Sequence, residues 1–282
     1  MAEILVFGRT GQVATELQRQ ADVVALGRDA ADLADPDACA AVIAARRPRL
    51  VINAAAYTAV DKAEEETALA HVINGEAPGA MARACAGLGV PFLHVSTDYV
   101  FDGTGTAPWR EGDPVGPQNA YGRSKLAGEV AVAAACGQWA VLRTAWVFSA
   151  HGANFVKTML RLAGTRDHLT VVADQVGCPT PAADIAAALL RMGAAMRDGQ
   201  GGGLYHFGGQ PAVSWAAFAR AIFAAAGRAV MVEDIPSAAY PTPAVRPTNS
   251  RLDCAAIETD FGISAPDWQA GLAAVLQEVD IT

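Results

Sequence analysis

A chain of 282 residues, 52% hydrophobic and 18% charged, is long enough for two closely packed domains or one enlarged α/β domain, and too apolar to be disordered. Its net charge of −8, with no basic stripe and no acidic run longer than Glu64-Glu65-Glu66, excludes tracking of a phosphate backbone, so no nucleic-acid partner is expected. No apolar stretch reaches the roughly 18 residues of a membrane span, and Met1 to Gly8 reads as a first strand rather than a basic leader, which predicts a cytoplasmic protein with no membrane partner.

The first strand, expected over Ile4 to Phe7, runs into Gly8-Arg9-Thr10-Gly11-Gln12-Val13-Ala14 and then the amphipathic run Glu16 to Gln20. Glycine permits a tight turn and lets backbone N–H groups approach a pyrophosphate at the positive end of a helix. Gly8, Thr10, Gly11, Gln12 and Val13 are therefore candidate cofactor contacts, with a ligand-free βα turn as the alternative. The second strand, Val23 to Leu26, ends at Gly27-Arg28, where an NAD enzyme would usually place an acid against the ribose. Arg28, assisted by Arg9, suits a 2′-phosphate instead, so NADPH is the expected cofactor and NADH the alternative. Asp32 and Leu33 follow as candidates beside the adenine, although Asp32 could equally cap a helix.

A helix is expected over Asp37 to Ala45 and a third strand over Leu50 to Asn53. The strand opens into Ala54-Ala55-Ala56-Tyr57-Thr58, small residues at a strand carboxyl end, where open α/β sheets bind ligands. That adds Ala55, Ala56, Tyr57 and Thr58 to the cofactor set, against plain helix packing. After a helix over Ala77 to Ala86, the fourth strand, Phe92 to Ser96, leads through Ser96-Thr97-Asp98-Tyr99 into a loop. A hydroxyl there could hydrogen-bond a reacting carbonyl, Thr97 as first choice and Ser96 as second. Asp98 and Tyr99 are candidates for substrate hydroxyls, and Asp98 could equally cap a turn.

Tyr121-Gly122-Arg123-Ser124-Lys125, at the start of a helix expected over Ser124 to Ala135, sets a tyrosine and a lysine four residues apart on one helical face. An isolated phenol, with a pKa of about 10, donates poorly near neutrality, and a neighbouring ammonium would stabilise its phenolate. Tyr121, Lys125 and Thr97 are the candidate catalytic residues; Tyr121 and Lys125 also join the cofactor set, and a solvated surface pair is the alternative.

With a fifth strand over Ala140 to Arg143, the strand and helix spacing predicts an α/β fold, a doubly wound parallel sheet of the Rossmann type with right-handed crossovers. Residues 1–145 are expected to form the dinucleotide-binding domain and 146–282 a smaller, interleaved, mainly substrate-binding one, with 169–190 and 204–208 able to return to the sheet. The second half carries turn-rich stretches at Gly199 to Gly203 and Pro236 to Pro247, and a helix over Ser214 to Ala226. The five cysteines have no C-x-x-C pair and the histidines no ligand spacing, which predicts buried thiols and no catalytic metal.

The glycine turn, Asn53 to Ala56, Ser96 to Asp98 and the Tyr121/Lys125 pair fall in the order of the extended short-chain dehydrogenase/reductases, which the chain resembles over the whole sheet. Within that group it resembles the dTDP-4-dehydrorhamnose reductases along Gly8 to Val13, Ala54 to Glu64, Ser96 to Gly103, Tyr121 to Glu129, Arg143 to Val147, Asn154 to Ala163 and, most specifically, Tyr240 to Leu252. Ala14 and Phe148 depart from the family's familiar glycine and tyrosine. The resemblance implies a nucleotide-sugar substrate, a nicotinamide hydride delivered to its C4 ketone, Tyr121 as acid, Lys125 lowering the Tyr121 pKa and holding the ribose, Thr97 polarising the carbonyl, and Trp146 packing on the sugar. Arg246 and Arg251 are left between phosphate-binding and structural roles. Some relatives bridge dimers through a metal such as Mg2+ held by glutamates; Glu16 matches one position, solvent exposure explains it more simply, and both metal and homodimer stay open. The rivals are a nucleotide-sugar epimerase or dehydratase, whose usual Asp-Glu pair is not supplied by Asp98-Tyr99, and a non-catalytic cofactor-binding regulatory subunit.

Overall fold

The computed structural model describes residues 4–279, so Met1 to Glu3 of the expected first segment lie outside the described residues. Strands β1 (Ile4–Phe7), β2 (Val24–Leu26), β3 (Leu50–Asn53), β4 (Phe92–Thr97) and β5 (Trp139–Thr144) are joined by Gly203–His206 into a six-stranded parallel sheet. The order runs β2, β1, β3, β4, β5, Gly203–His206, with Val6 opposite Ile52 and Leu93 opposite Ala140. Chain direction across the sheet therefore reverses between β1 and β3, the switch point outside which a ligand crevice opens.

Side-chain alternation along each strand feeds two cores. Val6, Ile52, Leu93 and Leu142 point to the face covered by helices Gln12–Gln20, Ala182–Arg197 and Ala255–Phe261. Leu5, Phe7, Val51, Phe92 and Val141 point to the face covered by Pro36–Arg46, Ala77–Leu88 and Ala120–Ala133. Alanine dominates these helices because small side chains let them lie close on the strands.

A third core, built around Phe148, Val156, Phe218, Phe223 and Trp268, belongs to the second half of the chain. It packs helices Phe155–Ala163, Trp215–Ala225 and Trp268–Glu278 against the parallel pair His168–Val172 and Met231–Ile235. Residues Ala182–His206 and Ala255–Phe261 leave that core to cover and extend the main sheet. Among the described residues no helix is long and apolar enough to cross a membrane. Cys39, Cys85, Cys178 and Cys254 are buried, while Cys136, expected to be buried as well, is exposed just past the end of its helix.

Candidate active site

The carboxyl ends of the parallel strands β1, β3, β4 and β5 lie along one edge of the sheet, the edge outside which doubly wound folds bind ligands. At β1, Gly8 sits at φ 114, a conformation that a side chain resists, and a Cβ there would press on Ala14 at 3.2 Å and on the Ala54 and Ala55 backbone at 3.4 Å. Helix Gln12–Gln20 begins at Gly11 with no side-chain cap and no acid in its first turn, and space around Gly11 is open. Uncapped N–H groups at the positive end of a helix, beside a glycine that only a backbone can crowd, fit a pyrophosphate.

The other sequence-predicted cofactor residues divide by what their side chains touch. The Gln12 side chain is spent on the 147–154 segment, its Nε2 donating to Val147 O at 3.3 Å while its Oε1 accepts from Ser149 and Asn154 at 3.0 and 2.9 Å, which leaves its backbone to a ligand. Val13 and Leu33 are buried in the two sheet cores. Thr10, Arg28 and Thr58 are exposed, and Arg9 pairs with Asp29 at 3.1 Å on the surface. Asp32 accepts from Ala34 N at 3.0 Å, which makes it a turn-closing residue. Ala55 and Ala56 lie half-buried after β3, and Tyr57 is fixed by Asn74, which accepts from Tyr57 N at 2.8 Å and donates to Tyr57 O at 3.0 Å and Ser124 Oγ at 2.9 Å. Asn74 lies in a one-turn π-helical segment, Val72–Glu76, and was not singled out from sequence.

Helix Ala120–Ala133 starts four residues earlier than its apolar pattern suggests, because the Asn119 side chain caps it, accepting from Gly122 N at 2.8 Å. Gly122 allows that first turn to rest on the Tyr99 backbone, where a Cβ would fall 2.2 Å from the Tyr99 carbonyl oxygen. Tyr121 thereby lands edge-on against Tyr99, ring centroids 5.6 Å apart, and within hydrogen-bonding reach of the Thr97 hydroxyl. Burial, with the Asp98 charge adding to it, pushes the Tyr121 phenol up to about 12 despite that hydrogen bond. Lys125, only 2% exposed, does not supply the expected downward pull: its Nζ donates to Val95 O at 2.7 Å and lies 3.2 Å from His94 Nε2. Burial brings Lys125 down to about 8.

Thr97 donates to Asp98 Oδ1 at 3.0 Å and accepts from Tyr99 N at 3.2 Å. Ser96, the second-choice hydroxyl, instead donates to Glu129 Oε1 at 2.5 Å and faces a structural ion pair, because alternation sends neighbouring strand residues to opposite faces. Asp98 is 3% exposed, its Oδ2 has no hydrogen-bond partner, and burial raises its carboxyl to about 6. Between 3.8, the ordinary value, and about 6 the folded chain holds a proton that the unfolded chain has released, so this group lowers stability as pH rises through that window. Asp98→Asn should therefore be more stable than wild type at pH 8, by on the order of 2–3 kcal/mol, with the gain fading towards pH 4. Urea unfolding at both pH values checks this, and a variant equally weakened at each would refute it.

Trp146 follows β5 with φ 49, a left-handed conformation rare for a bulky residue, and stacks on Trp215 with centroids 3.5 Å apart and planes at 9°. One ring face is thus covered by Trp215, a partner not foreseen from sequence. Arg246 is bidentate with Asp61 at 2.9 and 2.8 Å and so fastens the 240–247 loop beside Tyr99, while Arg251 donates to Asn249 Oδ1 at 2.9 Å. Glu16, expected to be exposed, is 7% exposed and pairs with His151 at 3.2 Å and Arg19 at 3.7 Å. Among the described residues no group of three His, Cys, Asp or Glu could hold a metal ion.

A family model described as the RmlD substrate binding domain matches residues 1–281. A dTDP-4-dehydrorhamnose reductase of Sinorhizobium fredii is 48% identical over 277 residues, 94% of this chain and 94% of the relative. One of Burkholderia thailandensis is 47% identical over 294 residues, 98% of this chain and 99% of the relative. The crystal structure of a dTDP-4-dehydrorhamnose reductase from Bacillus anthracis, in complex with NADP, superposes with a TM-score of 0.92 at 33% identity and covers 99% of this chain and 100% of that one.

Proposed function

Since this chain belongs to the RmlD substrate binding domain family, we propose that it reduces the C4 ketone of dTDP-6-deoxy-L-lyxo-4-hexulose to dTDP-L-rhamnose with NAD(P)H. The likeness to reductases of that name over nearly the whole of both chains carries the reading, and Tyr121 beside Thr97, with an uncapped glycine turn at the same edge of the sheet, supports it. When bound, the dihydronicotinamide supplies the hydride. The uncapped helix start and Gly8 hold the pyrophosphate, Ala55 and Ala56 leave room beside β3, and Lys125 holds the nicotinamide ribose hydroxyls.

Tyr121 directs its hydroxyl at the ketone oxygen, with Thr97 beside it. The Tyr121 phenol, protonated throughout the neutral range, gives its proton to the oxygen as negative charge develops there. Thr97, its own proton engaged by Asp98, orients the phenol at the same time. Asp98 Oδ2, buried without a partner, accepts a sugar hydroxyl, and Tyr99 and Trp146 flank the ring. Arg28, exposed beyond the end of β2, faces the 2′-phosphate and favours NADPH over NADH. Arg28→Ala should weaken NADPH binding about tenfold, the size of one exposed charge-assisted contact, and leave NADH binding within twofold. Equal weakening of both cofactors, measured by fluorescence titration, would remove Arg28 from this role.

The direct test is NADPH and NADH oxidation by the purified protein with freshly prepared keto-sugar. Formation of dTDP-L-rhamnose with stoichiometric cofactor consumption is expected. Cofactor binding without turnover would point to the regulatory reading, and 4-epimerisation without net cofactor use to the epimerase reading.

A further inference from the structure

Behind Tyr121, three buried side chains form a line across the sheet: Asn53 at the end of β3, His94 in β4, and Lys125 on the covering helix. Asn53 has a determined orientation. Its Oδ1 accepts from Ala55 N at 3.1 Å, so its Nδ2, 3.1 Å from His94 Nδ1, must be the donor in that contact. A ring nitrogen that accepts carries no proton. Burial holds His94 well below the ordinary imidazole range, so the ring is neutral and its single proton sits on Nε2. That N–H points at Lys125 Nζ, 3.2 Å away. An ammonium has no lone pair with which to receive it, whereas a neutral amine has one and still donates to Val95 O at 2.7 Å.

We propose that His94 is a positioning residue for Lys125: locked by Asn53, it presents Nε2–H to an uncharged Lys125 amine and parks it against β4 until cofactor binding draws Lys125 away and it takes up a proton. The proposal rests on the reductase reading only for its purpose, since the hydrogen-bond polarity is a property of the chain alone. Burial already lowers Lys125, and a facing donor acts in the same direction.

The charged and titratable groups around the amine are compatible with this. Glu129, one turn along the same helix, favours the ammonium, but its carboxylate is bidentate with Arg143 of β5 at 2.9 and 2.6 Å and also accepts from Ser96. Tyr121, one turn back, is protonated, and Asp98 acts on Tyr121 from the end of β4. From the segments packed on the outer side, Asn74 is neutral, Glu64 is taken up by Ala120 N at 2.6 Å and Arg123 at 3.8 Å, and Glu66 by Lys62 and Tyr57, both at 2.7 Å.

Proton uptake on cofactor binding tests the proposal without any turnover. Calorimetric titration of NADH at pH 8, in two buffers of different ionisation enthalpy, should show a net uptake of roughly half a proton or more per wild-type site. His94→Phe, which keeps the stacking on Phe92 but removes the N–H, leaves more of Lys125 charged beforehand, and uptake should fall measurably. His94→Gln, which restores an N–H near the Nε2 position, should recover it. Nitrogen-15 histidine spectra of the cofactor-free wild type, with His94 assigned by its absence from His94→Gln, should show a neutral Nε2–H ring from pH 6 to 9, whatever the Phe variant does. An Nδ1–H or charged ring, absent uptake in the wild type, or uptake unchanged in folded His94→Phe would each overturn the proposal. Wild type that takes up the proton but fails to reduce the keto-sugar would sink the reductase reading and leave the role of His94 standing.

Discussion

Tyr121→Phe is expected to lower turnover about 10²–10⁴-fold, the usual contribution of a positioned acid, while leaving cofactor affinity and fold intact. The substitution removes one oxygen from a ring already fixed by Tyr99 and by the Asn119-capped first turn of its helix, so the loss falls on proton delivery and not on structure. The phenol is pushed up to about 12, so deprotonation of Tyr121 does not limit ketone reduction below pH 9. Steady-state kinetics should therefore show kcat and kcat/KM falling together, the pattern of an interaction made in the transition state. Loss confined to KM would assign Tyr121 to sugar binding, and an unchanged rate would leave the reaction without its acid.

The largest expected effect on stability lies one turn of helix beyond the active site. Glu129 and Arg143 are 6% and 2% exposed and are joined by two hydrogen bonds, with Ser96 on the carboxylate, His206 Nε2 3.4 Å from the guanidinium, and the Phe101 ring 4.9 Å from it. Arg143→Met fills much of the space but strands a buried carboxylate, and should cost about 3–5 kcal/mol of unfolding free energy. Glu129→Gln with Arg143→Met removes both charges and should recover most of that loss, because the penalty comes from the unpaired ion more than from the missing attraction. Denaturant unfolding of the wild type and both variants checks this; a single mutant within about 1 kcal/mol of wild type would show that water reaches the site.

Much of the crevice could be read from residues that adjoin in sequence. β1 and its glycine turn, the small residues after β3, Thr97 to Tyr99 after β4, and Tyr121 with Lys125 on one helical face are each a short run whose backbone form follows from the run itself. Parallel strands with intervening helices then bring their carboxyl ends to a common edge, so order along the chain becomes proximity in space. Such reasoning reaches backbone placement and stops at the choice of partner for each side chain. Ser96 adjoins Thr97 yet serves the Glu129–Arg143 pair, because a period of two sends neighbours to opposite faces. Gln12 sits in the glycine turn yet spends its side chain on Val147, Ser149 and Asn154. Glu16, expected to be exposed on the first helix, is buried because His151 returns to cover it.

The same limit explains Lys125. Its spacing from Tyr121 predicts a shared face, and that face exists, but the direction of the lysine stem is decided by His94 and Val95, some 30 residues away in a strand that reads simply as apolar. Asn53, His94 and Arg143, polar residues inside strands that otherwise bury hydrophobic side chains, were the available signal. The sequence by itself determined the doubly wound sheet, the glycine turn after its first strand and the placing of Tyr121 and Lys125 on one helical face, since each depends on local backbone chemistry and periodicity. Only the tertiary structure decided which buried polar atoms face one another, since a donor out of water needs an acceptor at about 3 Å, and that partner is set by the packing of strands and helices distant in sequence.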